Sequence, residues 1–149
     1  MEINGVAHIF VSVIKFDECA AFYRRLLPFL GLTHTVRDTP DQLYCIGGRT
    51  GFGVTRGAPE FRDSPFSQSR SGLHHVCFRA REREDVDAVH RLALELGAKI
   101  VRAPATGHWA PGYYSVLFED PDGIRLEVNH IPGKGLLAPG AASKPSDAA

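Results

Sequence analysis

Apolar and polar positions alternate along Val6-Ala-His-Ile-Phe-Val-Ser-Val13. The alternation predicts a strand with Ala7, Ile9, Val11 and Val13 on one face and Val6, His8, Phe10 and Ser12 on the other. The period then lengthens. Ala20, Phe22, Tyr23, Leu26, Leu27 and Leu30 recur at helical spacing, with Asp17 expected as the N-cap and Gly31 as the C-terminal stop. Pro28 falls late in this pattern and is expected to distort or end the last turn. Short strands are expected around 32–37, 43–46 and 51–55, followed by a polar segment, 57–71, that reads as a linker or mobile loop.

After that segment the pattern returns. Gly72-Leu-His-His-Val-Cys-Phe-Arg-Ala80 repeats the glycine, two residues and histidine that lead into the first strand. A helix over 84–96 is stopped by Gly97, as the first is by Gly31. Strands are expected at 99–102 and in a hairpin, Tyr113-Tyr-Ser-Val-Leu-Phe-Glu-Asp-Pro-Asp-Gly-Ile-Arg-Leu-Glu-Val-Asn-His130, turned by Asp120-Pro-Asp-Gly123. Gly5 to Gly72 is 67 residues (72 − 5) and Gly31 to Gly97 is 66 (97 − 31). Matching offsets between matching signals predict an internal duplication of a β-α-β-β-β module and an α+β fold. Module one is expected at about 3–56, the linker at about 57–71 and module two at about 72–131, together one domain over 1–131. Residues 132–149, rich in Gly, Ala, Pro and Ser, are expected to be a disordered tail.

Composition narrows the function classes. At 149 residues and 44% hydrophobic, the chain can bury a sizeable core. Its 17 basic and 17 acidic side chains cancel, so no basic footprint for nucleic acid is expected. No apolar run approaches the roughly 20 residues of a membrane span. Met1-Glu2-Ile3-Asn4 does not have the pattern of a signal peptide, so a cytoplasmic protein is expected. Cys19, Cys45 and Cys77 are odd in number and widely spaced, each inside an apolar element, and are expected to be buried and reduced. No C-x-x-C pair suggests structural zinc.

The duplication makes the polar positions informative. His8 lies opposite the apolar face of its strand. In the second module Val76, Phe78 and Ala80 form the apolar face, leaving His75, Cys77 and Arg79 on the other, while His74 is expected on the helix side in a structural role. In the last strand Ile124, Leu126 and Val128 oppose Arg125, Glu127 and Asn129. A central glutamate on such a face either meets water or is paired or metal-bound. Two histidines at matching repeat positions plus one carboxylate make a triad that leaves coordination positions open. His108, Trp109, Tyr113 and Tyr114 cluster in a Gly/Pro-containing segment, as surface aromatics or as a lid over a pocket. Arg79, Arg125 and Asn129 are available by parity for an anionic or oxygen-rich substrate, or are simply solvated.

Over about 3–131 the chain resembles the vicinal oxygen chelate superfamily of glyoxalases, extradiol dioxygenases and bleomycin-resistance proteins. The resemblance is carried by His8 in Ala-His-Ile-Phe-Val, Phe22-Tyr23 ahead of Leu30-Gly31-Leu32, and His75 in His-His-Val-Cys-Phe. Gly97-Ala98 and Asp120-Pro-Asp-Gly123 with Glu127 complete it. It implies a curved, partly closed mixed sheet around a divalent metal, with His8, His75 and Glu127 as ligands. Fe2+ or Mn2+ is favoured, with Zn2+, Ni2+ or Co2+ as alternatives.

Relatives with a fourth ligand carry it on the fourth strand, where alignment offers Thr55 or Gly53, so a three-ligand site is expected here and glyoxalase-type isomerisation is weakened. The dioxygenase signature is matched by His108, Val116, Asp120, Pro121, Gly123 and Glu127, but Leu117 stands where that signature has tyrosine. The resemblance thus implies catalytic roles for Glu127 and His108, and substrate contacts from Arg79, Trp109, Tyr113, Tyr114, Arg125 and Asn129. The expected protein is a homodimeric metal-dependent lyase, isomerase or dioxygenase acting on a small substrate with vicinal oxygens. The alternative is a bleomycin-resistance-like binding protein without catalysis.

Overall fold

A computed structural model describes residues 1–141. The chain divides into two compact units, one of Met1–Phe66 with Pro121–Gly123, the other of Ser67–Asp120 with Ile124–Ala149. The break at 66/67 falls inside the polar segment expected to link the modules.

Unit one runs β1 (His8–Val13), α1 (Phe16–Phe29), β2 (His34–Thr39), β3 (Gln42–Gly47) and β4 (Thr50–Arg56). Its sheet has the order β1-β4-β3-β2, with β1 parallel to β4 and the other pairs antiparallel. Val11, Val13, Leu43, Cys45, Phe52 and Val54 bury one face of the sheet, and α1 buries Cys19, Ala20, Tyr23, Leu26 and Leu27. The Tyr23 and Phe52 rings meet at 5.2 Å.

Helix α1 begins one residue before Asp17, with Lys15 at the N-cap and no side-chain cap of its own. Asp17 is therefore not the cap. It sits in the first turn, where a negative charge suits the helix dipole, 3.0 Å from Arg56. The Asp122 carboxylate instead accepts the N–H groups of Ile14 (2.9 Å) and Lys15 (3.2 Å). The helix passes through Pro28 and ends one residue later at Phe29, so the proline falls in the last turn as expected. Gly31, at φ +86°, then lets Leu32 donate back to the Leu27 carbonyl at 2.9 Å.

Unit two repeats the plan: β5 (Val76–Arg79), α2 (Arg83–Glu95), β6 (Lys99–Thr106), β7 (Tyr114–Glu119) and β8 (Arg125–His130). Its sheet order is β5-β8-β7-β6, again with the first and last strands parallel. Even the helix stop recurs, with Gly97 at φ +71° and Ala98 donating to the Ala93 carbonyl at 2.9 Å. Val76, Val86, Val89, Ala93, Val116, Phe118, Leu126 and Val128 form the core. Strand β6 is longer than expected and runs through Pro104 with two register irregularities, which an edge strand tolerates.

Part of the expected tail is built rather than disordered. Arg79 donates to the carbonyls of Ile131 (2.9 Å) and Gly133 (3.3 Å), and Gly135–Leu137 forms a 3-10 turn. The rest of that expectation, 142–149, lies outside the described residues. Among those described, no helix is long and apolar enough to cross a membrane.

Candidate functional site

The alternation of β8 puts Leu126 and Val128 into the core and leaves Glu127 and Asn129 on the opposite face. That face does not simply meet water. Glu127 is only 6% exposed and Asn129 8%. A carboxylate so placed needs partners, and three converge on it. The Tyr113 hydroxyl donates to Oε1 at 2.6 Å, and Arg102 approaches the same oxygen at 3.3 Å. The His75 Nε2 stands 3.3 Å from Oε2.

Local structure explains why these groups meet. The loop between β6 and β7 is closed by Gly107 donating to the Tyr113 carbonyl (3.0 Å) and Tyr113 donating to that of Ala110 (3.1 Å). This folds the Tyr113 side chain inward. The Trp109 ring lies against Gly107, where an added Cβ would meet it at 2.2 Å, and sits 5.0 Å from the Tyr113 ring. Arg102 spans the group: its guanidinium lies 4.8 Å from the Trp109 ring centroid and donates to the Ser115 hydroxyl at 2.8 Å.

Burial, then the hydrogen bond to Glu127, holds the Tyr113 phenol far above its ordinary range, so it keeps its proton. That proton goes to Glu127, so the Tyr113 oxygen can only accept from the neighbouring Asn129 amide, which leaves the buried Asn129 Oδ1 without a partner. Across β5, Cys77 is level with Glu127. Part of the residue reaches solvent, unlike buried Cys19 and Cys45, which corrects the expectation of three buried thiols. Its sulfur is nonetheless desolvated. That burial and the Glu127 charge push the thiol up to about 12.

Other expected site residues separate. Tyr114 faces α2, donating to Asp87 at 2.8 Å with the Arg83 guanidinium 3.6 Å from its ring centroid. Arg125 is turned to Glu119 at 3.4 Å, and Arg79 to the backbone carbonyls named above. His108 is exposed on the loop, outside the Glu127 network. His74 is not on the helix side: β5 starts only at Val76, so strand parity does not reach it, and its Nδ1 lies 2.7 Å from Nδ1 of His75. Arg102, Ser115 and His74 had no expected part in the site. The bulged register of β6 hides Arg102 from a parity reading.

In unit one His8 is exposed, its ring 5.6 Å from Phe10 and 6.3 Å from Tyr44. Phe10 and Tyr44, 4.8 Å apart, lie across glycines: a Cβ on Gly53 would meet Phe10 at 2.1 Å, and one on Gly51 would meet the Tyr44 hydroxyl at 2.7 Å. Strand register identifies the position that matches Glu127. Phe10, two residues after His8, pairs with Gly53, and Cys77, two after His75, pairs with Glu127. Gly53, not Thr55, is the counterpart, and the Phe10 ring occupies its side-chain space.

Among the described residues no group of three or more His, Cys, Asp or Glu gathers as a metal-holding cluster. Two of the expected ligands do fit. A separation of 3.3 Å between His75 Nε2 and Glu127 Oε2 suits two donors sharing one ion at about 2.1 Å from each, and the other carboxylate oxygen is already oriented by donors.

The family model of the Glyoxalase/Bleomycin resistance protein/Dioxygenase superfamily matches residues 5–128, and the chain belongs to that superfamily. Among solved structures it is similar to a candidate glyoxalase from Bacillus halodurans, at 25% identity and TM-score 0.73, covering 86% of this chain and 96% of that one. A glyoxalase/bleomycin resistance protein from Albidiferax ferrireducens T118 follows at 23% identity and TM-score 0.67, covering 85% and 98%. A lactoylglutathione lyase from Agrobacterium tumefaciens gives 22% identity and TM-score 0.62, covering 87% and 96%. Those two likenesses establish fold alone. No curated protein matches the chain.

Proposed function

We propose that the protein is a divalent-metal-dependent enzyme acting on a small substrate with two neighbouring oxygens, by a lyase, isomerase or dioxygenase step. The observation that carries this reading is the buried Glu127, with Oε1 fixed by Tyr113 and Arg102 and Oε2 turned to His75. Carboxylates are seldom buried and oriented in this way without a charge to serve. His75 and Glu127 would hold the ion together with His8, the ligand that the sequence pattern supplies; Fe2+ or Mn2+ suits two imidazoles and a carboxylate. Such an ion supplies Lewis-acid polarisation of the substrate oxygens. Tyr113 and Arg102 keep Glu127 in one rotamer, Trp109 covers the guanidinium, and Asn129 Oδ1 is buried beside them without a partner. Gly53 in the place of a second carboxylate supports a three-ligand site rather than one that moves protons through a fourth.

A second reading is favoured by the exposed rings of His8 and Phe10 beside half-buried Tyr44 on a glycine floor, which suit a flat ligand held by stacking alone. A thermal-shift screen separates the two. The enzyme reading expects stabilisation by divalent ions without any organic ligand, reversed by chelator. Stabilisation by planar aromatic compounds alone, indifferent to chelator, would replace it with sequestration.

A further inference from the structure

Strand parity offers Arg79 and Arg125 to an anionic substrate, but both are turned to other partners, Arg79 to backbone carbonyls and Arg125 to Glu119. The arginine that reaches Glu127 is Arg102. It stands two strands away, since Arg102 pairs with Leu117 across β6 and β7, and Leu117 with Glu127 across β7 and β8. Partners in register share a face, so the side chain crosses β7 to meet the carboxylate. Three contacts fix its far end. Nη2 donates to the Ser115 hydroxyl at 2.8 Å and lies 3.3 Å from Glu127 Oε1, and the guanidinium lies 4.8 Å from the Trp109 ring centroid. Ser115 is wholly buried in β7, which makes the anchor part of the sheet rather than of a loop.

We propose that Arg102 is the receptor for a carboxylate that the substrate carries in addition to its two neighbouring oxygens. Both hydrogen bonds of the guanidinium use Nη2. The N–H of Nε and those of Nη1 meet no acceptor among the described residues, and 34% of the side chain is open to solvent. Guanidinium is planar and weakly hydrated, so one held in place with unspent donors is suited to an oxyanion. Its charge is available as well, and here the inference rests on the proposed function. Without a cation, Glu127 offsets Arg102. A divalent ion on Glu127 and His75 draws on the same carboxylate and leaves the group net positive, which favours an anionic substrate over a neutral one of the same shape.

The test is calorimetric titration of the full chain, stripped with chelator and then reloaded with Zn2+, which has no redox chemistry of its own. The two probes are 3,4-dihydroxybenzoate and the neutral 3,4-dihydroxybenzamide, alike in size and in their vicinal oxygens. The zinc-loaded parent should bind the benzoate at least about tenfold more tightly than the benzamide. Arg102→Gln should bring that ratio close to one, and Arg102→Lys, which keeps the charge without the planar donors, should retain only part of it. A variant that merely disturbed Glu127 would weaken both probes alike and leave the ratio standing. The parent ratio needs no variant to fold, and a value close to one, or no binding of the benzoate at millimolar concentration, would overturn the proposal. So would a ratio unchanged in Arg102→Gln. Equal, zinc-dependent binding of both probes would remove the receptor and leave the metal site. Preference for the benzoate that is indifferent to zinc and lost in Arg102→Gln would support the receptor and remove the metal site.

Discussion

A single buried charge organises its neighbours residue by residue. Glu127 adds to burial in keeping Tyr113 protonated, accepts from the same Arg102 that donates to Ser115, and acts with burial on Cys77 across the strand pair. The Cys77 effect has a measurable consequence. Burial and a nearby negative charge both disfavour thiolate, so at pH 8 a thiol pushed up to about 12 is almost wholly protonated. In chelator-treated native protein, Cys77 should react with iodoacetamide at least about tenfold more slowly than cysteine in an unfolded peptide. Glu127→Gln should speed it by removing the charge. Labelling at the peptide rate would show that the thiol is not held in this way. Cys19 and Cys45 are buried and should not compete. At this scale the sequence reveals which types of residue sit on the face, because parity is reliable inside β8. It does not reveal Arg102 or His74, since a bulge and a strand end interrupt that parity.

At the level of elements, the two β-α-β-β-β units share their strand order and their glycine helix stops but differ at one paired position. Where β8 carries Glu127, β4 carries Gly53 under the Phe10 ring. Gly53→Ala should drive that ring from its place and cost about 1–3 kcal/mol, because overpacking forces side chains off their rotamers. The atom in the way belongs to a movable side chain, so Phe10→Ala should relieve the clash. Denaturant unfolding of both single variants and the double variant should give a double variant less destabilised than the sum of the two. Additive losses would mean that Gly53 is not required by Phe10. The elements themselves were legible because periodicity, Gly31 and Gly97 are local signals. The helix start was not. Asp17 has the chemistry of a cap, but the Cys19 N–H that a cap at 17 would take already donates to the Lys15 carbonyl at 2.9 Å, and the chain ahead of the helix is held by Asp122, more than a hundred residues later.

For the whole molecule, the repeat offsets and the motif around Glu127 were enough to indicate the superfamily, because duplication is written into the spacing of Gly5, Gly31, Gly72 and Gly97. Substrate choice was not legible. The loop over 107–113 beside Glu127 carries no periodic pattern; its path is fixed by backbone hydrogen bonds and by Trp109 lying on Gly107. The central claim is that His75 and Glu127 hold a divalent ion, and metal analysis of the full chain tests it most directly. The protein would be stripped with chelator, refilled with Fe2+ or Mn2+ and freed of excess ion, alongside His75→Ala and Glu127→Gln. The account predicts about one ion per chain in the parent and a loss of at least about tenfold in both variants. Equal content in all three, or none in the parent after refilling, would contradict it.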